Sequence, residues 1–469
     1  MLCRVEDKFK EECGVFGFFN RDSYKTSKIT YYGLQALQHR GQESAGIAVS
    51  NGEDIVSYKQ MGLVTEIFNE EILKRLQGHI SVGHVRYSTT GSSFVTNAQP
   101  LSVRFKSGYL ALAHNGNLIN ADELRSELED KGNIFQTTTD SEVILHLISK
   151  YHSLGLISAI KETMKLIKGS YALVLMTKDK LIGIRDPNGI RPLSLGLLGN
   201  SYCLASETCA FDTIGAEFIR DVEPGEILVI DEKGLTSERF PEGRSALCIF
   251  EFIYFARPDS NLNGINVYIA RKALGRRLAE EHPADADLVI PVPDSGNAAA
   301  MGYAERSGIP FAEGLVKNKY VGRTFIEPNQ KDREIGVRLK LNVIKDIVRG
   351  KRIVIVDDSI VRGTTSKRII DALRSAGAKE VHVRVSSPPV KFPCYFGIDT
   401  PTKKELVGST KTVKFIRDMI GADSLGYLSI EGMLNCFDGK CKGFCTACFS
   451  GDYPMEVPAE GKKYLFEKR

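Results

Sequence analysis

Hydrophobic residues in the first half of the chain come in short runs, rich in β-branched and aromatic side chains and stopped by Gly, Asn or Pro. Such runs predict strands at 14–19, 47–49, 80–85, 110–113, 171–177, 181–185, 202–205 and 226–230. Helix-like stretches fall between them at 124–128 and 141–149, the second preceded by Asp140 in a position suited to capping. This mixture predicts an α+β half. From about residue 243 the pattern changes. Residues 287–292, apolar after Asp287, and 353–356, wholly apolar, are short strands, each leading through a turn into a helix, as in a parallel sheet covered on both faces. The boundary therefore falls near residue 240. After residue 435 the chain becomes rich in Cys, Gly and Phe and then ends in a polar segment without a clear period, 456–469.

A length of 469 residues exceeds what one hydrophobic core usually serves. The expected organisation is a leader 1–12, an N-terminal domain 13–240, a second domain 241–435 and a Cys-rich tail 436–469. With 42% hydrophobic and 26% charged residues the composition is that of an ordinary globular protein. No apolar run is long enough to span a membrane, and the charged leader lacks a secretory apolar core, so a cytoplasmic protein is expected. A net charge of +4 over this length gives no reason to expect nucleic acid as a partner.

The first chemistry is a thiol at the start of a strand, Glu12-Cys13-Gly14-Val15-Phe16-Gly17. If the leader is removed, Cys13 gains a free α-amine, ordinarily of pKa about 7.7–8.0, which can take the thiol's proton near neutral pH. On this fragment alone a core cysteine at a strand end is the commoner reading. Later segments supply what hydrolysis of an amide by a thiol needs. The stretch from His84 to Gly91 offers Arg86 as a fixed cation for a substrate carboxylate. His114-Asn115-Gly116-Asn117-Leu118 combines a side-chain amide with a glycine N–H, two donors suited to a tetrahedral oxyanion. Thr139-Asp140-Ser141-Glu142 supplies a carboxylate for a substrate ammonium. Each segment has a plainer reading, since Asn-Gly is usually a turn and a loop Arg is usually solvated.

In this order, and together with the segment Leu37-Gln38-His39-Arg40-Gly41-Gln42-Glu43-Ser44-Ala45-Gly46, they resemble the N-terminal-nucleophile glutamine amidotransferases. That resemblance covers about 13–225 and implies a four-layer αββα domain. It also implies Cys13 as nucleophile, Arg86 and Asp140 as glutamine binders, and Asn115 with Gly116 as oxyanion hole. Twelve residues precede Cys13, so it implies a self-removed propeptide as well.

The second chemistry lies in 353–366. A buried strand delivers Asp357 and Asp358 to its C-terminal end, where they can accept from ribose hydroxyls and help to hold a hydrated Mg²⁺. Arg362-Gly363-Thr364-Thr365-Ser366 then opens a helix, and its N–H groups and hydroxyls make a nest for a phosphate monoester. A Walker loop is excluded because its Gly-x-x-x-x-Gly-Lys-Ser/Thr pattern is absent. The stretch resembles the type I phosphoribosyltransferases. Pro291-Val292-Pro293-Asp294-Ser295-Gly296-Asn297 could wrap a pyrophosphate. The basic stretch from Lys317 through Arg323 to Gln330 and Arg333 suits a flap over it. The resemblance implies Mg²⁺ contacts at Ser295, Asp357 and Asp358, and ribose 5-phosphate contacts across Arg362, Gly363, Thr364, Thr365 and Ser366.

A glutaminase half can serve several acceptors, and the motifs of sugar isomerase or adenylating domains are not evident. The two resemblances together are those of the amidophosphoribosyltransferases. They imply glutamine and 5-phosphoribosyl 1-diphosphate as substrates, 5-phosphoribosylamine as product, purine nucleotide inhibitors and a homotetramer. A non-catalytic phosphoribosyl sensor would be expected to lack Cys13 or the flap, and both are present. A glutaminase with uncoupled nucleotide binding is the other alternative.

The chain has ten cysteines, four of them within 436–448. Local spacing favours a Zn²⁺ site from Cys436, Cys441, Cys445 and Cys448. Resemblance to the cluster-bearing branch of the family implies instead a [4Fe–4S] cluster in each subunit beside the Mg²⁺, held by Cys248, Cys394, Cys445 and Cys448 and serving a structural role.

Overall fold

The computed structural model describes residues 13–87, 93–318, 341–400, 402–437, 439 and 441–458. The leader 1–12, Arg323 and the rest of the flap from residue 319 to residue 340 lie outside the described residues.

The first 13 strands are β1 Gly14–Phe19, β2 Ser44–Ser50, β3 Ile55–Met61, β4 Ile80–Arg86, β5 Leu101–Phe105, β6 Gly108–Leu118, β7 Gly169–Met176, β8 Leu181–Arg185, β9 Ser194–Leu198, β10 Ser201–Ala205, β11 Glu217–Asp221, β12 Glu226–Asp231 and β13 Gly234–Arg239. They form two sheets, ordered β11-β9-β10-β1-β4-β2-β3 and β13-β12-β8-β7-β6-β5. Every strand predicted in this half is present. Strands β3, β5, β9, β11 and β13 were not foreseen, and β3, β11 and β13 carry no buried residue, so the apolar signal is thin there.

The side-chain period of β1 explains the layers. Val15 and Phe19 enter the core between the two sheets, with Ala113, Val174 and Leu228, while Phe16 and Phe18 face Leu34, Leu37 and Phe211 on the helical side. On the far side Leu112 and Leu173 meet Val143, Ile144 and Ile148 of the helix Ser141–Lys150. The result is the expected αββα sandwich. Gly17 lets the sheets approach, since a Cβ there would stand 2.7 Å from Val174.

The remaining strands are β14 Leu247–Cys248, β15 Asn261–Leu262, β16 Ile265–Asn266, β17 Leu288–Pro291, β18 Leu315–Lys317, β19 Leu341–Val343, β20 Arg352–Asp357, β21 Glu380–Val385, β22 Ser424–Tyr427 and β23 Phe444–Cys445. A parallel sheet runs β17-β20-β21-β22. Val354 and Val356 of β20 enter one core and Ile353 and Ile355 the other, so both faces are covered. On the first face lie the helices Val267–Glu281 and Asn297–Ser307.

Those two helices touch backbone to backbone. A Cβ at Gly275 would stand 1.9 Å from the Ala299 carbonyl oxygen, and one at Gly302 would stand 2.0 Å from that of Lys272. The second helix follows directly on Ser295, so its seating fixes the loop at the end of β17. Gly275→Ala is expected to destabilise the protein by about 1–3 kcal/mol through overpacking. Thermal unfolding checks this, and a parental Tm would mean the helices can part at little cost.

Candidate active site

Cys13 sits at the head of β1, 8% exposed, and its thiol donates to the Tyr87 carbonyl at 3.3 Å. Burial pushes the thiol up to about 11, against the pull of the Tyr87 bond and of Arg86. Its carbonyl accepts from Arg40 Nε at 3.1 Å. One pocket is lined by Cys13, Arg86, Tyr87, Gln99, His114, Gly116, Thr139, Asp140 and Ser141. The fold thus brings together Cys13, Arg86, Gly116 and Asp140 from three strands and the start of a helix.

Arg86 ends β4 and lies 3.8 Å from Glu43. Asn115 and Gly116 belong to the straight run of β6 and form no turn, with Gly116 opposite Tyr171. Gly116 has φ +149, and a Cβ would stand 2.1 Å from the Ser170 carbonyl oxygen, so a side chain is excluded. The buried Asn115 side-chain nitrogen has no hydrogen-bond partner, which leaves a donor available to a ligand.

Asp140 corrects an expectation. It precedes the helix Ser141–Lys150, yet its carboxylate makes no cap bond. It accepts instead from the Leu118 N–H at 2.8 Å and from Ser141 Oγ at 3.3 Å. Being tied to the end of β6 is what turns it toward the pocket.

Gln99, His114 and Ser141 were missed as site residues. The Gln99 side chain receives the His114 N–H at 2.8 Å and donates to Ser141 Oγ at 3.0 Å, which braces the pocket wall. No spacing rule announces a glutamine preceding a proline as a wall residue. Burial lowers both imidazoles, His84 to about 3, so neither competes with Arg86 as a cation near pH 7.

The second site lies where β17 and β20 end. Asp357 and Asp358 are buried there, and the Asp358 N–H donates to Asp357 Oδ1 at 2.9 Å. The Ser295 and Ser359 hydroxyls both donate to Asp358, the latter at 2.6 Å. Oxygen donors of this hardness fit a Mg²⁺ ion. Gly363, at φ +84, turns the chain into the helix Thr364–Ser375, leaving Thr364, Thr365 and Ser366 at its open N-terminus. Arg362 reaches Glu405 at 3.3 Å, and Lys317 meets Asp294 at 2.9 Å.

Among the cysteines, Cys248 and Cys445 stand opposite each other in the parallel β14–β23 pair. Cys248 and Cys448 share one core, with Cys394 and Cys445 packed against it, and burial pushes the Cys448 thiol well up. Cys445 is likewise raised to about 12 by burial. Cys436 and Cys441 turn their thiols to the Gly432 and Gly443 carbonyls. Among the described residues no three His, Cys, Asp or Glu side chains already form a metal-ion site. Thiol donors of this softness fit an iron–sulfur cluster.

Known proteins bear on both halves. Residues 84–213 match a glutamine amidotransferase domain and residues 266–387 a phosphoribosyl transferase domain. The chain is 52% identical to amidophosphoribosyltransferase of Bacillus subtilis (strain 168) over 97% of each chain. It is 52% identical to that of Methanothermobacter thermautotrophicus over 98% of each. A solved structure of the B. subtilis glutamine phosphoribosylpyrophosphate amidotransferase, complexed with ADP and GMP, superposes with a TM-score of 0.90 at 51% identity, covering 96% of this chain and 98% of that one. A glutamine amidotransferase domain and a phosphoribosyl transferase domain lie in one chain that matches these relatives over nearly its full length, and the chain belongs to the amidophosphoribosyltransferase family.

Proposed function

We propose that Cys13 hydrolyses glutamine and that the ammonia is passed to C1 of 5-phosphoribosyl 1-diphosphate bound beside Asp357 and Asp358. The products are glutamate, 5-phosphoribosylamine and pyrophosphate, and this is the first committed step of purine synthesis. The observation that carries the reading is the single pocket gathering Cys13, Arg86, Gly116 and Asp140. Arg86 takes the substrate carboxylate and Asp140 its ammonium. The thiol attacks the side-chain amide, and Asn115 Nδ2 with the Gly116 N–H receives the oxyanion. A buried thiol at about 11 is a poor nucleophile until a base takes its proton. The α-amine released by removing residues 1–12 is that base.

In the second domain Asp357 and Asp358 accept from the ribose hydroxyls, and the loop from Arg362 to Ser366 seats the 5-phosphate. Ser295, Asp357 and Asp358 would hold Mg²⁺, whose charge offsets that of the departing pyrophosphate. Lys317 and Arg323 belong to the flap that covers it. Free ammonia is mostly protonated at neutral pH and is then no nucleophile, so transfer needs a passage closed to water.

Cys248, Cys394, Cys445 and Cys448 would hold the [4Fe–4S] cluster, which when bound cross-links the tail to the transferase domain. Purine nucleotides as inhibitors, a homotetramer and a cytoplasmic location complete the reading. In support, a relative binds ADP and GMP, and among the described residues no helix is long and apolar enough to cross a membrane. The domain limits 13–240, 241–435 and 436–469 follow the gap between β13 and β14 and the start of the tail.

Three tests follow from this reading. Cys13→Ala should abolish glutamine-dependent pyrophosphate release while sparing release driven by high ammonium, and Asp357→Asn with Asp358→Asn should abolish both while leaving basal glutaminase. Glutamine-dependent turnover surviving in Cys13→Ala would remove the nucleophile assignment. Intact-mass measurement should find the mature chain beginning at Cys13, and an active preparation still carrying residues 1–12 argues against the amine as base. Anaerobically purified protein should be brown, with the colour lost in Cys248→Ser and kept in Cys441→Ser. Colourless protein whose zinc disappears in Cys441→Ser would establish the local zinc site instead.

A further inference from the structure

The segment Glu251-Phe252-Ile253-Tyr254-Phe255-Ala256-Arg257-Pro258-Asp259-Ser260 supplies nothing to either site described above, yet it reaches the nucleophile through one side chain. Arg40 follows the helix Thr26–Ala36 and is wholly buried. Besides its Nε bond to the Cys13 carbonyl, its Nη1 donates to Glu207 Oε1 at 2.6 Å and to Glu251 Oε2 at 2.9 Å, and its Nη2 donates to Glu251 Oε1 at 2.8 Å. Glu251 opens a π-helical turn, Glu251–Phe255, and also faces Arg191 Nη1 at 3.6 Å. Glu207 is held in turn by the same segment, accepting from the Arg257 N–H at 2.9 Å and from Ser260 Oγ at 2.7 Å.

The nucleophile needs such an anchor. Ladder pairing of β1 with β4 begins at Gly14 opposite Val85, one residue after Cys13. Once residues 1–12 are gone, nothing precedes Cys13 to fix its backbone, and the rotation about its Cα–C bond, which sets where amine and thiol together stand in the pocket, is tied to where its carbonyl points. Arg40 Nε sets that direction. A guanidinium is planar, so two carboxylate oxygens accepting from Nη1 and Nη2 fix its plane, whereas a single acceptor leaves it free to swing. Glu251 supplies those two oxygens and Glu207 supplies the single one.

We infer that Glu251, which lies on the phosphoribosyltransferase side of the joint, is a positioning residue for glutamine hydrolysis that orients Cys13 through the Arg40 fork. The inference rests on the reading of Cys13 as nucleophile. Glu251→Gln keeps the shape of the side chain but loses one acceptor and the charge, and Glu251→Asp keeps the charge at shorter reach.

The test uses the full mature enzyme. Glutamate release is measured against glutamine concentration and pH, and ammonium-driven pyrophosphate release normalises each preparation for folded enzyme. In Glu251→Gln the normalised kcat for glutamine should fall by about ten- to a hundredfold, the scale of a small misplacement of reacting groups. Its KM should stay within about threefold of the parent, since Arg86 and Asp140 are untouched and the loss falls on the transition state. The pH midpoint of kcat should move, because the amine and thiol then stand differently relative to the charges of Arg86 and Asp140, and Glu251→Asp should recover part of the rate. A parental normalised kcat and pH midpoint in Glu251→Gln overturns the inference. So does a loss of both activities in proportion with an unmoved pH midpoint, which marks a purely structural role. If Glu251→Gln fails to fold, Glu251→Asp carries the test: a reduced kcat with a displaced midpoint supports positioning, and parental values overturn it. Glutamine turnover in Cys13→Ala, run alongside, reports failure of the nucleophile reading by itself.

Discussion

Two arginines and two glutamates, Arg40, Arg191, Glu207 and Glu251, lie buried at the joint between the sandwich and the transferase half, with their side chains fully out of water. Desolvating one such charge costs several kcal/mol, so the group is tolerable only when every member is paired. Burial would raise the Glu207 carboxyl, but the adjacent His39 and Arg40 hold it well below the usual carboxylate range. The cluster therefore fixes the relative seating of the halves, because neither half satisfies these charges alone.

The surrounding contacts follow the same joint. The Phe396 carbonyl accepts from Ser170 Oγ at 2.7 Å and from Arg191 Nε at 2.8 Å, and Asn117 Nδ2 donates to the Tyr395 carbonyl at 2.9 Å. The Cys248 N–H reaches back to the Ile190 carbonyl at 3.1 Å. Two of the converging cysteines thus sit on segments bonded to the sandwich, and the tail strand β23 lies on one of them. Whatever holds those thiols together also stiffens the seam between the halves. The loop after β17 is seated from the opposite direction, by the close helix pair at Gly275 and Gly302.

Chemistry at both sites depends on charge placed where water is scarce. In the pocket around Cys13, burial raises the thiol and lowers the His114 imidazole, and Arg86 and Asp140 line the same pocket. At the end of β20 two adjacent carboxylates are kept apart by bonds to a backbone N–H and to two hydroxyls.

The amino-acid sequence determined whatever depends on neighbours along the chain: the strands of period two, the apolar β20 ending in its acidic pair, the glycine turn into a phosphate nest, and the order of the two halves. Those features are local, and backbone sterics and burial fix them residue by residue. Tertiary structure decided what depends on residues far apart in sequence. It diverted Asp140 from a helix cap to the pocket, where the carboxylate accepts from the Leu118 N–H instead. It ran Asn115-Gly116 straight through β6, since pairing with β7 outweighs the local preference for a turn. It built the pocket wall from Gln99 and Ser141, and it brought Cys248 and Cys394 to the same core as Cys445 and Cys448, while Cys436 and Cys441 gave their thiols to backbone carbonyls. Arg40 and Glu251 met for the same reason: a buried charge takes whichever partner the packed fold brings within reach, and no spacing along the chain records which one that is.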